Sequence, residues 1–356
     1  DAETATGTTS INAGSFTVTD TTTQNAISVS EGATLTTKDK VTTTDGIANA
    51  GTLNLLGGAD IGKGIIRAVI NSTVSGDGTT NFGTADSKAY IQTTTDKAIA
   101  QAINLVNADV IANSALGASG KGFNISDTST LTIAANNIMA DVTNAGTLNL
   151  GSGILTKAIT GTTGTIITKG SVSSNASYLG NAVTNDNYTL TLTGGTLEKA
   201  ITGGDVAIDG VVTSNASIAS AIKINEDKSL TIGANNVGGD VSNSGILNLD
   251  TGALAQNVNG TGTTNINGDV IVAANKDIIN TVKIAENSSL ELNAGLIDAT
   301  KANITENLGT VIMNGGTLGV ALSDGYFELM LIGIPKTFED LEDITTFIDT
   351  KEAKGS

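Results

Sequence analysis

The stretch Asn49-Ala50-Gly51-Thr52-Leu53-Asn54-Leu55 returns as Asn144-Ala145-Gly146-Thr147-Leu148-Asn149-Leu150 and again as Asn243-Ser244-Gly245-Ile246-Leu247-Asn248-Leu249. Leucine alternates with a polar residue in each copy, the pattern of a half-buried strand. The same alternation occurs at Leu131/Ile133, Leu190/Leu192, Leu230/Ile232 and Leu290/Leu292, and Gly/Asn/Asp clusters follow each of them. Helical periodicity is weak through most of the chain. Ala98–Val106 is the ambiguous run, too short for periodicity to decide.

The copies lie 95 and 99 residues apart. Thr130–Ile138 (TLTIAANNI) recurs as Ser229–Val237 (SLTIGANNV), 99 residues on, and each runs directly into its heptad. SNAS at Ser174 returns 40 residues later at Ser214. Ala216–Ile232 matches Asn275–Leu292 at an offset of about 60 residues. These distances share a divisor near 20, about one coil of a β-solenoid with two or three short strands. The 95-residue spacing reads as five coils with a small deletion, and the three heptads read as rungs of one wall, each Asn marking the turn before it. Val74–Gly83 (VSGDGTTNFG) resembles Val258–Gly268 (VNGTGTTNING) but starts ten residues later relative to its heptad. A loop is therefore expected near Asp60–Asn71. Roughly 16 coils at ~4.8 Å would make a rod ~75–80 Å long.

Composition supports a continuous ladder. The chain has 356 residues with 39% hydrophobic content, 43 glycines and a single proline. Proline lacks the N–H a paired strand needs, whereas Gly and Asn serve the turns. Aromatics are 3%, so the core must consist of many small aliphatic side chains. There is no Cys and no His, which removes thiol chemistry, Cys-type zinc sites and the commonest general base. Net charge is −17 and Arg67 is the only arginine. Nucleic acid and anionic lipid are therefore not expected partners. No apolar run approaches the ~20 residues of a membrane-spanning helix.

Runs such as NAGTLNLLGG, VSNSGILNLDTGAL and VNGTGTTNINGDV resemble the passenger regions of bacterial autotransporters and related large surface adhesins, over roughly residues 40–320. The resemblance implies a right-handed parallel β-helix, export across the cell envelope and display outside the cell. It names no ligand. The chain has no region that reads as a C-terminal membrane β-barrel, so it reads as a released passenger, a truncated piece of one, or a separately secreted solenoid. The N-terminal DAETATGTTS reads as a mature start after signal removal.

Three patterns in the sequence bear on chemistry. Asp205 and Asp209 form the nearest carboxylate pair on a predicted strand and could share a face, but they read as solvated surface positions without a nearby Arg or His. Fragments of the G-G-x-G-x-D calcium repeat at Gly57–Gly62 and Gly203–Asp205 lack tandem repetition. No cofactor is expected, with incidental Ca²⁺ at an acidic turn the most that these fragments allow. Thr21–Thr23, Thr42–Thr44 and Thr93–Thr95 do not recur at one coil position, so no flat threonine array is expected.

Residues 1–322 are thus expected to form the solenoid, and 323–356 a cap or subunit-joining segment. Tyr326, Phe327, Leu329, Leu331 and Ile334 fall in an apolar strand over 326–334. Phe338, Leu341, Ile344, Phe347 and Ile348 fall in a helix over about 338–349, with Thr337 as its N-cap. At the other end, Phe16 and Val18 are expected to face inward without a matching cap. The expected function is a non-enzymatic extracellular stalk, adhesive or structural, partnered by surface glycans or proteins. The alternative is a filament subunit whose partner is a second copy joined end to end, and a third, weaker reading is a polysaccharide-active enzyme.

Overall fold

In Thr52–Leu55 the two leucines are buried and Thr52 and Asn54 are half-buried, because a strand sends successive side chains to opposite faces. Each such strand lies parallel to its counterpart in the next coil. Leu35, Leu53, Thr80, Ile103 and Phe123 stack in register as one inward column. Val41, Ile70, Thr93, Ala112, Ile133 and Leu150 make a second. Ile47, Val74, Ile99, Leu116 and Ile138 make a third. We call these walls A, B and C, in the order the chain visits them. The computed structural model describes residues 7–62, 64–293 and 303–313, and the fold is a parallel β-solenoid of about 16 turns with successive turns about 18 residues apart. The coil is thus shorter than the expected 20 residues, because three walls of about six residues close it. Residues 323–356, expected to cap or join, lie outside the described residues.

Ala98–Val106 resolves as wall rather than helix: Ile99 bridges Val74 and Leu116, and Ala102–Leu105 is a strand of wall A. Phe16 keeps the inward register, opposite Leu35, but is 52% exposed. Val18 beside it is partly buried. Asp96, Asn187, Asp227, Asn275 and Asn287 adopt positive φ at turns. Asp227 and Asn287 occupy the same place in the two segments that match at 60 residues, since both close a left-handed turn that Asp and Asn tolerate.

The three heptads do not belong to one wall. Leu55, the end of the first, stacks through Phe82, Leu105 and Ile125 onto Asn144, the start of the second. The 95-residue spacing is therefore four coils plus one wall, and the second heptad lies on wall B. From Leu148 the column runs through Ile166, Val183, Ile201 and Ile218 to Val237. Two walls further on, the third heptad returns to wall A. The expectation of five whole coils assumed that a sequence repeat must be a multiple of the coil. With three similar walls it need only be a multiple of the wall.

Each heptad sits directly on a T/S-L-T strand of the coil before it. Leu53 lies over Leu35, Leu148 over Leu131 and Leu247 over Leu230. In all three the heptad's middle Asn donates to the Thr hydroxyl below it: Asn54 to Thr36 at 3.3 Å, Asn149 to Thr132 at 3.1 Å and Asn248 to Thr231 at 3.1 Å.

The leading Asn residues mark the turn before each heptad, as expected from the sequence, but from its interior. Asn49, Asn144 and Asn243 are all fully buried inside a corner. Asn49 Oδ1 accepts from Gly51 N and Asn243 Oδ1 from Gly245 N, each at 3.1 Å. Nδ2 of the three donates to the carbonyls of Thr79, Thr165 and Thr263 in the next coil. The corner of that next coil is glycine: Gly76 and Gly78, Gly161 and Gly164, Gly260 and Gly262. A side chain at any of these would collide with the Asn below or with the backbone beside it. The match between Val74–Gly83 and Val258–Gly268 is this glycine corner, passing over Asn49 and over Asn243.

Candidate contact surfaces

The expected departure near Asp60–Asn71 is present. Ile47 and Val74 are paired neighbours on wall C although a whole extra excursion lies between them. Within it Ala59–Asp60 pairs antiparallel with Ile65–Ile66, a two-stranded ribbon leaving an otherwise parallel ladder. Asp60 Oδ1 accepts from Gly62 N at 2.9 Å at its tip, and Gly62 has a φ of 75°. Ile61, Ile65 and Ile66 are exposed by 58, 45 and 58%. Three large aliphatic side chains on one projection are unusual for a surface in contact with water alone.

The ribbon's base is fixed from two sides. Arg67 Nη1 donates to the Asp109 carbonyl at 2.7 Å, and Nη2 pairs with Asp109 Oδ1 at 3.0 Å. The same Nη1 reaches the Ile91 carbonyl at 3.5 Å, so the guanidinium spans two further coils of wall B. Tyr90 N donates to Gly57 O at 2.7 Å on the other strand. Gly58 has no room for a side chain between Ile66 O and Tyr90 O. The sequence located the insertion but gave no sign that its single arginine anchors it, because Asp109 is two coils away.

A polar ladder runs along the outside of the early coils of wall A. Thr34, Thr52 and Thr79 stack in register. Beside them run Thr36, Asn54, Asn81, Asn104 and Asn124, each amide donating to the rung before it at 2.8–3.3 Å. The threonine column is three residues long, bounded by Ser15 and Ala102, and none of the three comes from the Thr triplets. Period-18 coils with corner insertions conceal it from inspection of spacing.

Asp205 and Asp209 are both exposed, as anticipated, but Asp205 lies in the strand Ile201–Ile208 and Asp209 follows its end, so they do not share a strand face. Asp209 Oδ1 accepts from Asn225 Nδ2 at 3.2 Å. Asp205 instead edges a shallow trough on wall C, floored by Ala207, Ala221 and Ser242 and flanked by Lys223 and Asp240. Asp240 Oδ1 is occupied by Asn257 N at 3.0 Å.

Ion pairs join coils at the surface: Lys169–Asp186 at 2.7 Å and Lys283–Glu306 at 3.3 Å link neighbouring coils, and Lys121–Asp77 at 2.9 Å spans two. The hydrogen bond from Lys121, reinforced by its charge, holds the Asp77 carboxyl below its ordinary value. Among the described residues no group of three or more Asp and Glu is arranged to hold a metal ion, and no helix is long and apolar enough to cross a membrane. The chain matches no family model, no curated protein and no solved structure.

Proposed function

We propose that this chain is a rigid, non-enzymatic stalk of a secreted or surface-displayed protein, and that the isoleucine ribbon is its adhesive contact. One observation carries the reading. Among the described residues the antiparallel ribbon departs from the coil with three exposed isoleucines, and its base is tied down by the only arginine in the chain. A projection that served only to connect coils would need neither. The stalk supplies reach: about 16 turns at ~4.8 Å give ~75–80 Å. Its core is uniform and aliphatic, so each coil is held by its two neighbours and the rod resists bending. The resemblance of the repeats to autotransporter passengers and surface adhesins agrees with this reading.

Microspheres coated with the full chain test it on cultured epithelial monolayers, with a variant carrying Ile61→Ser, Ile65→Ser and Ile66→Ser as comparison. Adherence of the native chain, lost in the variant at unchanged circular dichroism and melting temperature, supports the reading. Equal adherence of both overturns the role of the ribbon, and cleavage of a polysaccharide panel overturns the non-enzymatic assignment. Filaments that grow with concentration under the electron microscope would favour end-to-end assembly instead.

A further inference from the structure

Two corners between walls C and A are built on the same plan, and they differ by one methylene. In the first, Asn49 lies below the glycine corner Gly76–Gly78 and Gln101 lies above it. Gln101 Oε1 accepts from Asn49 Nδ2 and from Thr80 Oγ1, each at 2.9 Å. Gln101 Nε2 donates to Asn49 O at 2.6 Å and Ser75 O at 3.0 Å. Every polar position of this fully buried amide is used.

In the second corner Asn243 lies below Gly260–Gly262, Thr264 stands where Thr80 stands, and Asn280 takes the place of Gln101. The wall C residues beside the two corners stack alike, Ile47–Val74–Ile99 and Val241–Val258–Ile278. Gly76 and Gly260 share nearly the same left-handed φ, 109° and 114°. Asn243 Nδ2 keeps its bond to Thr263 O at 2.9 Å, as Asn49 keeps Thr79 O. Yet Thr264 Oγ1 and both amide atoms of Asn280 have no partner, at exposures of 0 and 2%. Leaving such groups unpaired costs about 1–3 kcal/mol each, and native interiors rarely do so.

We infer that this corner is a binding site for one internal water molecule. The shorter Asn280 side chain stops short of the point that Gln101 Oε1 reaches. A water there accepts from Thr264 Oγ1 and Asn243 Nδ2, as Gln101 Oε1 does from their counterparts, and donates to Asn280 Oδ1. Three bonds are the usual complement of a buried water. The third corner of this kind meets the crossing differently. Ile166 stands in the Thr position, so no hydroxyl seeks a partner. Asn144 Nδ2 donates to Asn181 Oδ1 at 3.2 Å while Asn181 Nδ2 donates to the Asn144 carbonyl at 3.3 Å, which leaves Asn144 Oδ1 without a partner.

The reciprocal exchange tests it on the full chain. High-resolution crystal structures are compared for the native protein, Asn280→Gln and Gln101→Asn. The native structure is expected to hold an ordered water within hydrogen-bond distance of Thr264 Oγ1 and Asn280. Asn280→Gln should expel it, and Gln101→Asn should admit a new one beside Thr80. In solution, oxygen-17 relaxation dispersion should count one long-lived water fewer in Asn280→Gln and one more in Gln101→Asn. A direct Asn280–Thr264 or Asn280–Asn243 bond with no water overturns the inference, as does an unchanged water count in Asn280→Gln. Should Gln101→Asn not fold, the Asn280→Gln comparison decides alone.

Discussion

The side-chain amides of Asn49 and Gln101 meet at 2.9 Å across an intervening coil that offers only glycine at the crossing. Three consecutive turns are thereby stitched through their interior, 52 residues apart in sequence. Replacing Gln101 with Leu keeps the volume but orphans Thr80 Oγ1 and one Asn49 N–H. We expect a loss of about 2–6 kcal/mol, from two buried groups at about 1–3 kcal/mol each. Urea unfolding with an unchanged m-value would measure it. Replacing Gln101 and Thr80 together with Leu and Val should recover part of the loss, since it removes the orphaned Thr80 hydroxyl and leaves only the Asn49 side unpaired.

Gly78 makes that crossing possible. Its missing Cβ would lie 2.8 Å from Asn49 Nδ2 and closer still to Gly51 O. Gly78→Ala should destabilise by about 3 kcal/mol or more, as overpacking against backbone does. Gly62 has a positive φ but open space around it, so Gly62→Ala should cost only about 1 kcal/mol from the strained conformation. Thermal melts of the two variants separate steric from conformational need for glycine.

The alternation at Leu53/Leu55 and its relatives was enough to establish parallel stacked coils, because inward positions on a strand follow a period of two whatever the wall. The number of walls was not readable there. Leu53, Leu148 and Leu247 have the same neighbours in sequence on walls A, B and A, since each wall poses the same packing problem. The buried corner Asn escaped notice for a related reason. Asn-x-Gly is ordinarily a turn signal, and only the glycine pair one coil later distinguishes Asn49 from the exposed Asn12, which also stands in an Asn-Ala-Gly sequence. The insertion was found from a failed match between two copies, whereas its anchor, Asp109, lies 42 residues from Arg67 and carries no local pattern.

Arg67→Lys should loosen the ribbon without melting the rod. A lysine cannot reach the Asp109 carbonyl and carboxylate together, because the two bonds depend on the planar fork. Limited proteolysis should cut between residues 60 and 66 several times faster, while the global melting temperature falls by no more than a few degrees. An unchanged cutting rate would mean that Tyr90 and the ribbon's own ladder suffice.

Asp77 and Lys121 give a defined pH response. The Asp77 carboxyl is held below its ordinary value by the Lys121 hydrogen bond. A depressed carboxylate stabilises the fold above its unfolded-state pKa and ceases to do so as pH falls through the folded value. The pair is open to solvent, so the effect on stability is small and fades with salt. Carboxyl NMR titration should place the Asp77 midpoint below that of an unpaired aspartate, and Lys121→Met should move it upward.

The outer ladder of wall A depends on amide polarity. Asn81 Nδ2 donates to Asn54 Oδ1 at 2.9 Å, and Asn81 Oδ1 accepts from Asn104 Nδ2 at 3.0 Å. Asn81→Asp keeps shape and acceptor but removes the donor. The new carboxylate would face Asn54 Oδ1 with no proton between two oxygens, at a half-buried position. We expect about 1–2 kcal/mol of destabilisation at neutral pH, from one lost bond and the repulsion left behind. Below the carboxyl's pKa the protonated acid donates again, so the deficit should shrink as pH is lowered toward 3. Asn81→Ala loses both bonds but places no charge against Asn54, and its deficit should not depend on pH. Denaturation midpoints of the two variants from pH 7 to pH 3 would show the Asp curve converging on the native one and the Ala curve running parallel to it.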